Sequence, residues 1–200
     1  VTPPAHRPSR RADIVDAAIR LFARRGFVDT SIADVADESD VVVTAVYYHF
    51  SGKEELFTAA VNRVFEQINE VVEAARPEGG DGTLDDVIDA VWDWIDEHPD
   101  EAALVHLQLP GVTRQTTTMR QDFDDLHVRR AFGYIGDGDA ARARVSPARV
   151  AAETLSARTL VDMLVAIHPM RMVDGPLSGE SSANVRKAVH RLSRRILALD

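Results

Sequence analysis

The stretch ADIVDAAIRLFARRGFVDTSIADVADESDVVVTAVYYHFSGKEELF, residues 12–57, decides the fold. Ile14, Ala17, Ala18, Leu21 and Phe22 recur at helical spacing and make one apolar face. Ser9 stands where a hydroxyl can cap that helix. Gly26, after Arg24 and Arg25, ends it, because glycine takes the left-handed conformation freely and late cations suit the helix dipole. Ser31 precedes Ile32, Val35 and Ala36, a helix of about two turns. Asp40 sits at a turn, and a third apolar stretch runs from Val41 to Tyr48. Two short helices joined by a tight turn, the second offering small and aromatic side chains, describe a helix-turn-helix. Ser51-Gly52-Lys53-Glu54 reads as a capping box with Glu54 reaching back to Ser51. It opens a long helix bearing Leu56, Phe57, Ala60, Val61, Val64, Phe65, Ile68 and Val72. A helix N-terminus aims backbone N–H groups outward, which suits a phosphate, and Lys53 adds a charge there. Tyr47 and Phe50 read mostly as core aromatics, Tyr48 and His49 as surface residues.

Taken in order, these motifs resemble the N-terminal domain of the TetR family of bacterial transcriptional regulators. The likeness is close over the first third of the chain and extends to the rest only in helical layout. It implies an all-α homodimer with a three-helix helix-turn-helix domain at residues 1–55 and an effector-binding and dimerisation domain at 56–200. Each subunit would place its third helix in the major groove of one half of an inverted-repeat double-stranded DNA operator. Carried onto this chain, Val43, Thr44 and Ala45 fall at base-facing positions. Tyr48 and His49 fall at backbone-contacting positions, with Tyr48 in reach of a base. Thr30, Ser31 and Lys53 match phosphate contacts, and Tyr47 matches the tyrosine that packs the reading helix in place.

The chain departs from the family pattern at informative positions. Asp40 fills a turn position that is often glycine, and aspartate tolerates the left-handed conformation. Val42 stands where many members carry a capping serine; valine cannot cap, so the reading helix is expected to fray until DNA binds. Val43-Thr44-Ala45 includes no Arg, Lys, Asn or Gln, the side chains that grip guanine or adenine with two hydrogen bonds. The expected readout is apolar contact with thymine methyls, a threonine hydroxyl, Tyr48 and DNA shape. Ahead of the first helix, Arg7, Arg10 and Arg11 lie in a segment with Pro3, Pro4 and Pro8. This reads as a basic arm for the adjacent minor groove or the phosphates.

The chain has 200 residues, enough for a sizeable core or for two domains, and a formal net charge of −9. The acidic excess is concentrated in residues 81–101, whereas arginine outweighs aspartate before Gly26. An acidic body with a basic end can still dock on DNA and resists nonspecific binding. There is no cysteine, which removes disulfide and thiolate chemistry. The sequence shows no signal peptide and no spanning apolar run, so the expectation is a cytoplasmic protein with no membrane partner. Lys53 and Lys187 are the only lysines against abundant arginine, a composition that suggests a GC-rich genome. No cofactor or metal is expected.

Beyond the long helix, Arg76 to Gly82 is a Pro/Gly break, and Thr83 caps a helix with Leu84, Val87, Ile88, Val91 and Ile95 inward. Pro99 restarts a helix to about Leu109. Another runs from about Thr116 to Ile135, with Met119, Phe123, Leu126 and Arg130 aligned. Pro147 opens one that stops before Pro169. In the last helix Val185, Val189, Leu192, Ile196 and Leu199 alternate in steps of four and three, a seam suited to bundle packing. The family resemblance makes this a four-helix dimer bundle, with a small-molecule effector pocket between it and the DNA-binding domain. Candidate effector contacts are Trp94, His98, His106, Phe123, His127, Arg130 and Tyr134. The implied function is a homodimeric repressor released from its operator by the effector. The alternatives are a ligand-dependent activator, or a small-molecule binder of the same fold without operator binding. An enzyme is disfavoured. Asp122, Asp124, Asp125 and His127 suggest a metal, but neighbours one or two residues apart on a helix point apart, and no phosphate loop or nucleophile elbow is present.

Overall fold

The computed structural model describes residues 10–76, 82–109, 111–134, 147–172 and 174–197. Among them all regular structure is helical. The helices are α1 (Arg10–Arg25), α2 (Ile32–Glu38), α3 (Val43–His49), α4 (Lys53–Ala75), α5 (Leu84–Glu97), α6 (Pro99–Ala103), α7 (Arg114–Ala131), α8 (Pro147–Arg171) and α9 (Ser182–Leu197). A π-helical turn, Leu104–Gln108, continues α6, and a 3₁₀ turn, Phe132–Tyr134, continues α7. The chain gathers into two compact units. The first holds the residues up to Glu66 together with His98–Thr117, and the second holds Gln67–Glu97 and Thr118 onward. Residues 98–117, which the sequence reading assigns to the second domain, therefore pack with the helix-turn-helix. Ser9, Arg7 and the proline-rich arm, Leu199 and the loop after Ile135 lie outside the described residues.

In the first unit α1 is the central element. Ile14, Ala17, Ala18 and Phe22 are fully buried, and α1 packs against α2, α3, α6 and the π turn. Phe22 meets the edge of Phe57 at 5.0 Å, and Phe27 meets Phe57 at 5.1 Å, so an aromatic triad ties α1 to α4. Arg24 holds Asp100 of α6 through two hydrogen bonds, and Gln108 of the π turn donates to the Ala23 carbonyl. Gly26 ends α1 at φ 79°. Ser31 caps α2 in a reciprocal box with Asp34, whose carboxyl those hydrogen bonds hold below its ordinary range. The helix ends in a Schellman arrangement: Val41 N–H bonds the Ala36 carbonyl, Asp40 N–H bonds the Asp37 carbonyl, and Asp40 takes φ 51°. Val42 makes no side-chain cap.

One expected cap is displaced by a residue. Ser51 bonds Glu55, not Glu54, through both its N–H and its hydroxyl. The helix begins at Lys53, so Gly52 is its N-cap and the third helical position falls on Glu55.

The second unit is organised by α5. Leu84, Ile88 and Trp92 form its core with Ala157 and Leu160 of α8 and Val185, Val189 and Leu197 of α9. Thr83 caps α5 in a box with Asp86. The acidic stripe of α5 faces α9: Asp85 pairs with Arg194 and His190, Asp89 with His190 and Arg186, and Asp93 with Arg186. Exposed pairs are each worth about 0–1 kcal/mol, so their main effect is on the register of α9 along α5. Asp96 instead holds Arg171 at 2.9 Å, and that guanidinium also lies 4.4 Å from the Trp92 ring. This anchor carries α8 two residues past Pro169, where the sequence alone predicts a stop. Proline at that position removes one N–H near the end of the helix, a loss the Arg171 contacts and buried Ile167 and His168 offset.

The seam expected in α9 divides. Val185 and Val189 are buried within their own chain, whereas Leu192 is 47% exposed. The buried stripe runs Val185, Val189, Ser193 and Leu197. A straight helix at 3.6 residues per turn drifts off the 3.5-residue repeat that the sequence pattern suggests.

Also within this unit, Arg130 of α7 reaches Asn69 and Glu73 of α4, and Arg76 of α4 bonds the Gly133 carbonyl and lies 3.8 Å from the Tyr134 ring. One turn before Arg130, His127 is largely enclosed, with the Phe123 ring 4.3 Å away. Its Nε2 is buried and has no hydrogen-bond partner among the described residues. Burial, and then the Arg130 charge, push its imidazole down to about 4 from 6.5.

Two consequences are measurable. Asp40→Val should lower stability by about 1–2 kcal/mol, the cost of a β-branched residue in the left-handed region, while Asp40→Gly should not; equilibrium urea unfolding compares them. For His127, the unfolded chain takes up a proton near 6.5 and the folded chain only near 4. Its contribution is therefore complete above pH 6.5 and is lost as pH falls toward 4, a loss on the order of 3 kcal/mol. His127→Gln should flatten stability between pH 6.5 and 4.5; an unchanged slope would locate the acid sensitivity elsewhere.

Candidate nucleic-acid interface

Seven residues make α3, and Val46 alone among them is buried. The next residue, Phe50, completes the anchor at 1% exposure. With only that inward grip, α3 turns the rest of its surface outward. Val43 and Thr44 are exposed, Tyr47 is 55% exposed and Tyr48 is 85% exposed. Ala45 and His49 are half-buried, and the His49 ring lies 5.0 Å from that of Tyr48. Tyr47 therefore corrects one expectation: it is not a core aromatic, because Val46 and Phe50 already fill the inward face. Phe50 is the core aromatic, with the Arg11 guanidinium 4.9 Å from its ring.

The other sequence-predicted contacts stand around this face with their chemistry partly committed. Thr30 is buried, and its hydroxyl donates to the Gly26 carbonyl at 2.8 Å, which withdraws that hydroxyl from outward contact. Ser31 is exposed but exchanges its hydrogen bonds with Asp34. Lys53 Nζ donates to the Phe27 carbonyl at 2.8 Å and the Val28 carbonyl at 3.3 Å, and lies 4.5 Å from the Phe27 ring. An ammonium has three protons, so Lys53 can hold the α1–α2 loop with two and still offer one proton and its charge to a phosphate. Arg10 and Arg11 occupy the exposed first turn of α1. Arg20, Arg24 and Arg25 instead face Glu38, Asp100 and Asp34, so they add less to a basic surface than their count in the sequence suggests.

The effector candidates separate. Phe123, His127, Arg130 and Tyr134 come together along one side of α7 and its 3₁₀ end, and Trp94 is buried on α5 in the same unit. His98 precedes α6 and His106 lies in the π turn, both in the first unit. Sequence reasoning missed the partners of the α7 group: Asn69, Glu73 and Arg76, a polar stripe at helical spacing on α4 that could have signalled it. It also missed a cavity of about 60 Å³ between α5 and α8, lined by none of the seven candidates. In the acidic cluster, Asp124 is buried between Arg120 and Arg158, and Asp125 also faces Arg158, which makes these two ion-pair members.

Known proteins fit this geometry. Residues 14–60 match the model for bacterial regulatory proteins of the tetR family. Over 68 residues the chain is 32% identical to the HTH-type transcriptional regulator BetI of Brucella anthropi, covering 34% of this chain and 35% of that protein. Over 68 residues it is also 37% identical to the HTH-type transcriptional regulator TtgR of Pseudomonas putida, covering 34% and 32%. The matched part thus spans about a third of the length of these relatives. A TetR-like transcriptional regulator from Rhodococcus sp. RHA1 superposes with a TM-score of 0.74 over 97% of this chain and 98% of that one, at 20% identity, which shows a shared fold. Among the described residues no helix is long and apolar enough to cross a membrane. Residues 14–60 thus form a helix-turn-helix that matches the tetR family of bacterial regulatory proteins.

Proposed function

We propose that this protein is a sequence-specific DNA-binding regulator of transcription, a homodimeric repressor released from an inverted-repeat operator by a small-molecule effector. One observation carries the reading. A firmly held three-helix scaffold presents a short helix whose outward side chains are Val43, Thr44, Tyr47 and Tyr48, and exposed apolar and aromatic groups of this kind mark a contact surface. A helix of this size enters the major groove, where threonine and valine rest against thymine methyls and tyrosine reaches a base or a phosphate. Arg10, Arg11 and Lys53 supply charge for the phosphates, and Ser31, Ala45 and His49 flank the reading face. We read the chain as a regulator and not an enzyme, in line with the named activity of its relatives.

The dimer reading rests on outward apolar groups of α8 and α9. Leu155 is 68% exposed, and Val150 and Leu192 are also exposed. Four helices, two from each subunit, would cover them. The effector acts by differential affinity: it binds more tightly to a state whose two reading helices no longer match the half-site spacing.

Selection of bound duplexes from a random pool should enrich an inverted repeat, and uracil in place of each contacted thymine should cost roughly 1 kcal/mol or less per site. No enrichment at all would favour a small-molecule binder without an operator. Enrichment with no uracil effect would remove the methyl readout and leave shape and Tyr48. Replacing both Leu155 and Leu192 with Glu should give a folded monomer, because neither is buried in its own chain. Light scattering that shows an intact dimer would exclude this face as the interface.

A further inference from the structure

The cavity between α5 and α8 has a floor of buried Leu84, Ile88 and Ile167, and a rim where Val87, Val91 and Ile95 are partly open to solvent. Trp92 supplies an aromatic wall. Two polar side chains line it, His168 and Arg171. We propose that this cavity is a binding site for a small uncharged apolar molecule, a single aromatic ring or short branched chain with at most one hydrogen-bonding group. The proposal rests on the effector-release reading for its biological use, but the binding itself does not depend on it.

The two polar residues decide the ligand's charge. An arginine in an apolar pocket ordinarily calls for an anion. Here Arg171 already holds Asp96 at 2.9 Å, donates to the Ser182 hydroxyl at 3.1 Å and stacks over Trp92. An incoming carboxylate would have to displace Asp96, which sits on the same guanidinium nitrogen, or be buried beside it against like charge. His168 is 7% exposed, and burial holds its imidazole below the ordinary range, so it offers a neutral ring. Apolar walls, a neutralised cation and a neutral imidazole together favour a ligand without charge.

The space decides the size. A cavity of about 60 Å³ is smaller than the roughly 150 Å³ that accommodates benzene in an engineered apolar core. A single ring therefore enters by shifting the rim side chains Val87, Val91 and Ile95, which are not locked into the core. A multi-ring or long-chain molecule would have to break the contact between α5 and α8. None of the seven residues singled out from the sequence touches this space, because its lining is brought together from two helices far apart in the chain.

Trp92 and Trp94 are the protein's only tryptophans, which provides a direct test. In the full-length Trp94→Phe variant Trp92 reports alone. Bromobenzene, a heavy-atom quencher, should quench it saturably, and adding Val91→Phe, which puts a ring into the cavity, should weaken that quenching at least tenfold. Bromobenzoate, with the same ring and a negative charge, should give only linear collisional quenching. If Trp94→Phe does not fold, the same titrations on the unsubstituted chain with and without Val91→Phe read the same difference. Purely linear quenching by bromobenzene, or saturable quenching that survives Val91→Phe, overturns the site. Saturable quenching by bromobenzoate overturns the uncharged class. DNA takes no part in these titrations, so failure of operator binding in the duplex selection is a separate result.

Discussion

Phe22 has no exposed surface and meets Phe57 edge-on at 5.0 Å. The rest of the first unit depends on this contact, because it sets α1 against α4 and leaves α2 and α3 to fill the remaining sides. Phe27 extends the contact to the loop after α1, and Lys53 covers Phe27 while donating to the carbonyls of Phe27 and Val28. A cation, an aromatic ring and two loop carbonyls thus stand at the start of α4, where an incoming phosphate would also meet the helix N-terminus. The residue that fixes the loop and the residue proposed to meet DNA are the same one. In the proposed complex, positioning and recognition would be coupled there by geometry.

Above that base, α3 is held by few groups: Val46, Phe50 and the Schellman turn at Asp40. A short helix with so little buried surface and no side-chain cap has low intrinsic stability, since helices of this length depend on tertiary packing. The same economy of anchoring frees most of its side chains to face outward. Weak local stability and a readable surface are two aspects of one arrangement, and DNA contact would supply what the missing cap at Val42 does not.

The net charge of −9 also looks different in three dimensions. Much of the acid in residues 81–101 lies along α5, where Asp85, Asp89 and Asp93 meet the cations of α9 and Asp96 meets Arg171. Arg20, Arg24 and Arg25, counted as basic surface in the sequence, face carboxylates within their own unit. Charge counting along the chain therefore overstates both the acidity of the body and the basicity of the end. The described basic groups left around α3 are Arg10, Arg11 and Lys53, and for this reason the proposed recognition leans on apolar contact and shape.

Local signals were enough for the three-helix unit. The 3.6-residue apolar period of α1, the serine ahead of α2 and the aspartate at the turn act over a few residues, and each appears in the structure where the pattern put it. Local signals also set the cap of α5 at Thr83 and the opening of α8 at Pro147. Apart from the cap at Ser51, which fell one residue later than expected, the errors arose where a distant partner overrode a local rule. Pro169 failed to end α8 because Arg171 is held by Asp96 and Trp92 from α5. The α9 seam divided because α5 and α8 claimed Val185 and Val189 and left Leu192 outside. Residues 98–117 joined the first unit because Asp100 and Gln108 bond to α1. The cavity between α5 and α8 had no sequence signature, since its lining comes from two helices far apart in the chain. The sequence by itself determined the order of the helices, the caps at Ser31 and Thr83 and the helix-turn-helix, because those follow from neighbours within one or two turns. Tertiary structure alone decided which cations are neutralised, which face of α9 is outward and where a ligand could sit, because those depend on side chains brought together from far along the chain.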